Sequence, residues 1–117
     1  MPPPPPCFLS VVIPTWREEG NVGAAVRSAW AAGTDEVIVA DGGSDDGTVA
    51  QAEAAGAIVV RTSGGARGRG PQQNAGALVA RGEALLFLHA DSRLPTTAAA
   101  RVRRALVAPD AVGGRFD

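Results

Sequence analysis

One acidic residue stands where an apolar run ends and a polar turn begins. The segment EVIVADGGSDDGT covers residues 36–48, and Asp41 is the last residue of its apolar half. A carboxylate at such a position has three chemical uses. It can accept a hydrogen bond from a nucleotide, bind a metal ion, or form the entrance to the next helix. The residues around Asp41 leave all three interpretations open.

Asp41 belongs to one of four short apolar runs that are rich in Val, Ile and Leu and nearly continuous. Such runs are typical of strands that are covered on both faces. The runs are FLSVVIP (8–14), EVIVAD (36–41), AIVVRT (57–62) and ALLFLHAD (84–91). Ala-rich stretches with helical spacing lie between them, at about 20–32, 46–55 and 72–81. This alternation predicts right-handed crossovers and a parallel sheet.

Parallel sheets bind ligands beyond the carboxyl ends of their strands. Four polar segments are therefore expected to meet at one edge: Pro14–Glu19, Asp41–Asp46, Thr62–Gly70 and His89–Arg93. The same pattern predicts local structural roles. Turn formation and capping are expected of Ser44, Asp45 and Asp46. Helix ends are expected at Gly33, Gly56 and Gly82, and packing or capping roles at Asn74 and Gly76.

Composition limits the class of protein. The 117 residues carry a net charge of −1, which gives no electrostatic argument for a nucleic-acid partner. No run of fifteen apolar residues occurs, so no transmembrane segment is expected. The start, MPPPPPCF, is no signal peptide; residues 1–7 are expected to be a stiff, disordered leader. We therefore expect a cytoplasmic protein, with peripheral membrane attachment as the second option.

The end of the sequence looks like the start of a further strand. A helix-like stretch at 96–108 is followed by AVGGRFD, which has no partner helix after it. We therefore predict one domain over residues 8–117 that is incomplete at its C-terminus.

The common phosphate-binding motifs do not match. No G-x-G-x-x-G follows the first strand, where PTWREEGN stands instead. A Walker P-loop needs a lysine, and all eleven basic residues are arginines. The calcium-loop spacing fails at Gly43 and Asp46. A nucleotidyltransferase, which shares a related sheet, would need a glycine-rich loop directly after the first strand.

Three segments in this order, VVIPTWREEGNV, EVIVADGGSDDGT and GARGRGPQQNAGALVARGEALLFLHADSRLP, closely resemble the family 2 glycosyltransferases of the GT-A fold. Within them the sequence is most similar to a small bacterial group, the selenodomain-associated transferases. The resemblance covers residues 8–117. It implies a three-layer, Rossmann-like α/β fold with a mostly parallel sheet, of which this chain holds the nucleotide-binding half.

The resemblance also implies a nucleoside pocket. Asp41 is expected to accept a hydrogen bond from the base, and Pro14, Thr15 and Glu18 to line the pocket. Glu18 is alternatively an ordinary acid in the first turn of a helix. Arg17 replaces the usual Asn of the resembling sequences, so no role is carried over to that position.

A diphosphate and metal site is implied by the remaining motifs. Arg67 and Arg69 are expected to contact the diphosphate or the base, since guanidinium groups suit both. Asp91 matches the metal-binding acid that follows this strand in GT-A enzymes, with Mg²⁺ or Mn²⁺ as the expected ion. His89 is a second candidate ligand, because residues i and i+2 of an extended chain point to the same side. The alternative for His89 is a place in the core.

The implied activity is transfer of a sugar from a nucleotide-diphosphate donor, with UDP favoured, to an unknown sugar or lipid acceptor. The catalytic base is expected beyond residue 117, and Asp117 is the last acid of the chain. The competing interpretations are a non-catalytic nucleotide-binding module and a truncated pseudoenzyme.

Overall fold

The computed structural model describes residues 8–62 and 69–106. The elements are β1 (Leu9–Thr15), α1 (Val22–Ala31), β2 (Glu36–Asp41), α2 (Thr48–Ala54), β3 (Ile58–Arg61), α3 (Arg69–Val79), β4 (Ala84–Phe87) and α4 (Ala98–Leu106). The predicted leader and the predicted final strand start lie outside the described residues. Within the described ranges, none of the helices combines the length and the apolar character needed to cross a membrane.

The four strands form one parallel sheet in the order β3-β2-β1-β4. β1 is central and pairs with β2 from Ser10↔Glu36 to Thr15↔Asp41. β1 and β2 are almost wholly buried, as their continuous apolar runs predict. The prediction of a parallel α/β sheet is therefore confirmed.

Helices cover both faces of the sheet. Leu9, Val11 and Ile13 of β1 belong to one core cluster together with buried residues of α1, α2 and α4. Val12, on the opposite side of the same strand, faces α3, where a side chain at Gly76 would meet its methyl groups. The layers are thus α1, α2 and α4 on one face, the sheet, and α3 on the other.

Two of the three predicted helix-ending glycines have that role. Gly33 and Gly56 follow α1 and α2 with φ of 86° and 95°, a left-handed conformation that glycine adopts without strain. Gly82 is different. Its N–H donates to Ser10 Oγ at 2.9 Å, and an added Cβ would lie 2.8 Å from the backbone of both Ser10 and Ala84. Gly82 is needed for close approach to β1, not for ending α3.

Structural contacts occupy the amino-terminal edge of the sheet. Glu36 is 2% exposed and accepts hydrogen bonds from Ser10 Oγ (2.8 Å), Arg81 N (2.9 Å) and Arg81 Nε (3.0 Å). Burial raises the pKa of Glu36, but the bonds from Arg81 and Ser10 outweigh it and hold the pKa below its usual value. This network joins β1, β2 and the segment before β4.

Candidate nucleotide site

The carboxyl ends of the strands meet at one edge, as predicted. Thr15 and Asp41 are the last residues of β1 and β2 and lie opposite each other. Thr62 N donates to the carbonyl of Asp41 at 3.0 Å, just after β3. Leu88 N donates to the carbonyl of Val12 at 3.0 Å, so the residues that follow β4 leave the sheet at the same edge.

Asp41 is fully buried, and its carboxylate accepts four hydrogen bonds. Oδ1 accepts from the hydroxyls of Thr15 (2.9 Å) and Ser44 (2.6 Å). Oδ2 accepts from the backbone N–H groups of Gly43 (3.0 Å) and Ser44 (2.8 Å). These contacts fill the four lone-pair positions that a carboxylate offers. In this state of the chain, Asp41 joins β1 to the turn after β2.

The hydrogen bonds keep this buried carboxylate ionised. Burial alone raises the pKa of Asp41, whereas the bonds from Ser44, Thr15 and Gly43 lower it, and their sum holds the pKa below its usual value. The site therefore carries a negative charge in the centre of the edge. That charge is already fully hydrogen-bonded by the protein.

The turn after Asp41 has the structural role that the sequence predicts. Asp46 Oδ1 accepts from Thr48 N at 3.0 Å and from the Thr48 hydroxyl. The Thr48 hydroxyl is the main reason why the pKa of Asp46 lies below its usual value. The residue at the helix entrance is Gly47, which has no side chain to cap α2. Asp46 thus forms the turn before the helix instead of capping it directly.

The loop after β1 packs against this turn. Pro14 is half-buried and Thr15 is 1% exposed. Glu18 N donates to Thr48 Oγ1 at 2.9 Å, and the carbonyl of Glu18 accepts from Asn21 N and Val22 N, both at 3.0 Å. Glu18 therefore lies in the turn before α1, and its N–H contacts the entrance of α2. It is not in the first turn of α1, so the structural alternative that the sequence left open for it is wrong, and its place in the nucleoside pocket stays a prediction.

Arg17 has a backbone conformation that explains the residue type expected there. Its φ is +54°, in the left-handed region where Asn is several-fold enriched among non-glycine residues. Its Nε and Nη2 donate to the two carboxylate oxygens of Asp45 at 2.9 and 2.8 Å, and its N–H donates to Ser44 Oγ at 2.8 Å. Its guanidinium lies 4.5 Å from the ring centroid of Trp16.

We expect the Arg17→Asn variant to keep its stability within about 1 kcal/mol of the wild type. Asn relieves backbone strain. It loses an ion pair whose partners are 53% and 67% exposed, together with the exposed contact of the guanidinium with Trp16. Arg17→Val should cost about 2 kcal/mol, because a β-branched side chain is strained at positive φ. Urea unfolding of both variants measures the difference, and equal stability of Val and Asn at this position would contradict the backbone explanation.

The arginine segment is only partly described. Arg67 lies outside the described residues. Arg69 is the first residue of α3, and only its backbone position is described. Asn74 is exposed, whereas Gly76 is buried against Val12, so the predicted packing role fits Gly76 alone.

His89 and Asp91 lie on the outward side of the chain after β4. Burial alternates here: Leu88 and Ala90 are buried, His89 is half-buried and Asp91 is exposed. Ser92 N donates to the carbonyl of His89 at 2.9 Å, which places Asp91 in a turn. No group of three or more His, Cys, Asp or Glu residues that could hold a metal ion lies within residues 8–62 and 69–106.

Sequence reasoning missed one buried polar side chain at this edge. Gln72 of α3 is 5% exposed, and its Nε2 donates to the backbone carbonyls of Thr15 and Ala40. Its only signal in the sequence is its spacing of four from Gly76, which puts both residues on one face of a helix.

The family model for "Glycosyl transferase family 2" matches residues 10–117. The chain belongs to glycosyltransferase family 2. The match includes Thr15 and Asp41 at the ends of β1 and β2 and Asp91 after β4. The sequence resemblance to this family is thereby confirmed.

Solved structures support the same fold for this family 2 chain. Mannosyl-3-phosphoglycerate synthase from Rubrobacter xylanophilus is 28% identical with a TM-score of 0.69, over 76% of this chain and 32% of that one. Glucosyl-3-phosphoglycerate synthase from Mycobacterium tuberculosis, in complex with Mg²⁺ and UDP, is 28% identical with a TM-score of 0.69, over 92% and 40%. The complex of the same enzyme with Mn²⁺, UDP-glucose and phosphoglyceric acid is 28% identical with a TM-score of 0.63, over 72% of this chain and 33% of that one.

This family 2 chain therefore spans about a third to two fifths of the length of these transferases. The GT-A, Rossmann-like fold predicted from the sequence is confirmed over that part.

Proposed function

We propose that this chain forms the donor-binding half of a metal-assisted glycosyltransferase that uses a UDP-type sugar donor. The observation that carries the proposal is the convergence of Thr15, Asp41, the start of α3 and Asp91 at one edge of the sheet. Two similar structures are complexes, one with Mg²⁺ and UDP and the other with Mn²⁺, UDP-glucose and phosphoglyceric acid. The acceptor is not assigned.

Base recognition at Asp41 requires one of its four hydrogen bonds to be exchanged. Thr15 is 1% exposed and is held in the sheet, whereas Ser44 is half-buried and lies in a turn. We therefore propose that the Ser44 hydroxyl turns away on binding. The freed lone pair of Oδ1 then accepts from the ring N–H of a uracil-like base, for which a carboxylate is a selective partner.

A single exposed carboxylate fits the metal that is proposed here. Mg²⁺ and Mn²⁺ accept oxygen ligands, and Mg²⁺ is commonly held by one or two carboxylates together with substrate phosphates and water. Asp91 would hold the ion, and His89 is the second candidate. When bound, the ion would neutralise the negative charge that develops on the departing diphosphate. Arg67 and Arg69 are proposed to contact the same diphosphate.

Calorimetric titration of the chain with UDP, GDP and dTDP, with and without Mn²⁺, tests the proposal. We expect UDP to bind best and Mn²⁺ to raise its affinity at least about tenfold, or about 1.4 kcal/mol. The Asp91→Asn variant should lose this metal-dependent gain. The matched control is Glu83→Gln, an exposed acid just before the opposite end of β4, which should keep the gain.

Different outcomes separate the competing functions. Tight UDP binding without metal dependence in the folded wild type would favour a non-catalytic nucleotide-binding module. Binding of none of the three nucleotides would refute the donor site itself. Loss of the metal effect in both acid variants would show that Asp91 has no special role.

A further inference from the structure

The amide of Gln72 bonds to two strands at once. Nε2 donates to the carbonyl of Ala40 at 2.9 Å and to the carbonyl of Thr15. A side-chain amide has two N–H donors, and both have a buried acceptor here. The Thr15 carbonyl accepts a second bond, from Gly42 N at 2.9 Å. One side chain of α3 thus joins the ends of β1 and β2.

These two carbonyls lie beside the hydrogen bond at the centre of the candidate site. The Thr15 hydroxyl donates to Asp41 at 2.9 Å, and Ala40 directly precedes Asp41. Gln72 therefore fixes the backbone on both sides of the Thr15–Asp41 bond. The position of this bond sets where Oδ1 of Asp41 lies at the edge.

The same side chain fixes the start of α3. Gly76, one turn further on, packs against Val12 without room for a side chain, so α3 touches the sheet at two successive turns. Arg69 begins α3 three residues before Gln72. The point at which the arginine segment joins the helix is therefore set relative to Thr15 and Asp41.

We infer that Gln72 is a positioning residue for donor binding: it aligns the Thr15–Asp41 pair with the start of α3. The inference rests on the proposed function for its effect on nucleotide affinity. It differs from a purely stabilising role, because a purely stabilising residue would change the unfolding free energy and leave the affinity of the folded protein unaltered.

Two variants of the full chain test the inference. Gln72→Met keeps the length of the side chain and removes both donors. Gln73→Met is the matched control, a half-buried glutamine at the next position of the same helix. For each, amide hydrogen exchange at Gly43 and Ser44 reports on the Asp41 turn without any ligand, and calorimetry gives the affinity for UDP with Mn²⁺.

We expect Gln72→Met to speed exchange at Gly43 and Ser44 and to weaken UDP binding, each by about tenfold, since the carbonyls of Thr15 and Ala40 both lose their bond from Gln72. Gln73→Met should change neither. Wild-type exchange rates and affinity in a folded Gln72→Met protein would overturn the inference. If the wild type binds no nucleotide but Gln72→Met still exchanges faster at Gly43 and Ser44, the alignment by Gln72 is supported and the proposed function is refuted.

A Gln72→Glu variant supplies a second measurement if the methionine variant does not fold. A protonated carboxyl group retains one donor for Thr15 or Ala40, whereas an ionised one faces two carbonyl oxygens. Burial should raise the pKa of this introduced group. Relative to the wild type, its affinity for UDP should therefore fall as the pH rises from 5.5 to 8, and a constant ratio over this range would overturn the inference.

Discussion

The Asp41→Ala variant is expected to lose about 3 kcal/mol of unfolding free energy. The substitution removes the acceptor of four hydrogen bonds and leaves the donors of Thr15, Gly43 and Ser44 without it. Each buried donor that loses its partner costs roughly 1–3 kcal/mol, and water entering at the half-exposed Ser44 side reduces the sum. For a domain stable by about 5–15 kcal/mol, this is a large fraction. Urea unfolding followed by circular dichroism measures it.

The same residue should give the wild type an acid-sensitive stability. The pKa of Asp41 is lower in the folded chain than in the unfolded one. On acidification, the carboxylate of Asp41 therefore takes up a proton first in the unfolded chain, where its pKa is about 3.9. The contribution of Asp41 is fully present above that pH and is lost as the pH falls through its folded pKa. Glu36 and Asp46, whose pKa values are also lowered, act in the same direction.

The Asp41→Ala variant should consequently show a shallower loss of stability between about pH 5 and pH 2 than the wild type. Asp45→Ala is the matched control: it removes an acid from the same turn whose side chain is 67% exposed. It should cost less than about 1 kcal/mol. An Asp41→Ala protein with the wild-type urea midpoint and pH dependence would contradict the role that we assign to this carboxylate.

The Gly76→Ala variant is expected to be less stable by about 2 kcal/mol, although alanine is the better helix former. The added Cβ would lie 2.3 Å from Val12 Cγ1 and 3.1 Å from Cγ2. Val12 is fully buried in the central strand and its branched side chain has one preferred rotamer, so it cannot move aside. Overpacking of this kind costs about 1–3 kcal/mol and exceeds the helix-propensity gain of about 1 kcal/mol.

Gly70→Ala, in the first turn of the same helix, is the control for this prediction. An added Cβ at Gly70 meets no atom within 4 Å, so only the helix propensity changes. This variant should be as stable as the wild type or slightly more stable. Thermal and urea unfolding of both variants give the comparison, and a Gly76→Ala protein at least as stable as Gly70→Ala would refute the close contact between α3 and β1.

Much of the fold follows from local patterns. The continuous apolar runs predicted all four strands, and β2 has the predicted bounds of Glu36–Asp41. For β1 and β2 this works because a strand covered on both faces admits few polar residues. The prediction that all four strands are covered on both faces is wrong for β3, which lies at the edge of the sheet and is exposed to half-buried. The helix bounds differ by one to three residues, and the largest difference is at α3, which begins at Arg69 rather than at residue 72. Helix ends depend on hydrogen bonds that the sequence pattern does not specify.

The sequence was less informative about what each site residue does. It left three uses open for Asp41. The bond from Thr15 depends on β1 and β2 lying side by side, whereas the three bonds from Gly43 and Ser44 are formed within the turn that follows Asp41. From the usual Asn at position 17 no role was carried over to Arg17, whereas the φ of +54° gives a backbone reason for that residue type. Such conformations arise from the packing of two loops that are 27 residues apart in the chain.

By itself, the sequence determined the α/β class, the parallel sheet and the edge at which the strands end, because strand burial and βα alternation are written in residue order. The family followed from the resemblance of three motif segments, not from these patterns. The tertiary structure alone decided that Asp41 is saturated with hydrogen bonds, that Gln72 bridges Thr15 and Ala40, and that Gly76 leaves room for Val12. The bonds to Asp41 from Gly43 and Ser44 lie within one turn, but the contacts Thr15–Asp41, Gln72 with Thr15 and Ala40, and Gly76–Val12 join residues 26 to 64 positions apart. Contacts of that kind depend on how strands and helices pack, and no local pattern encodes them.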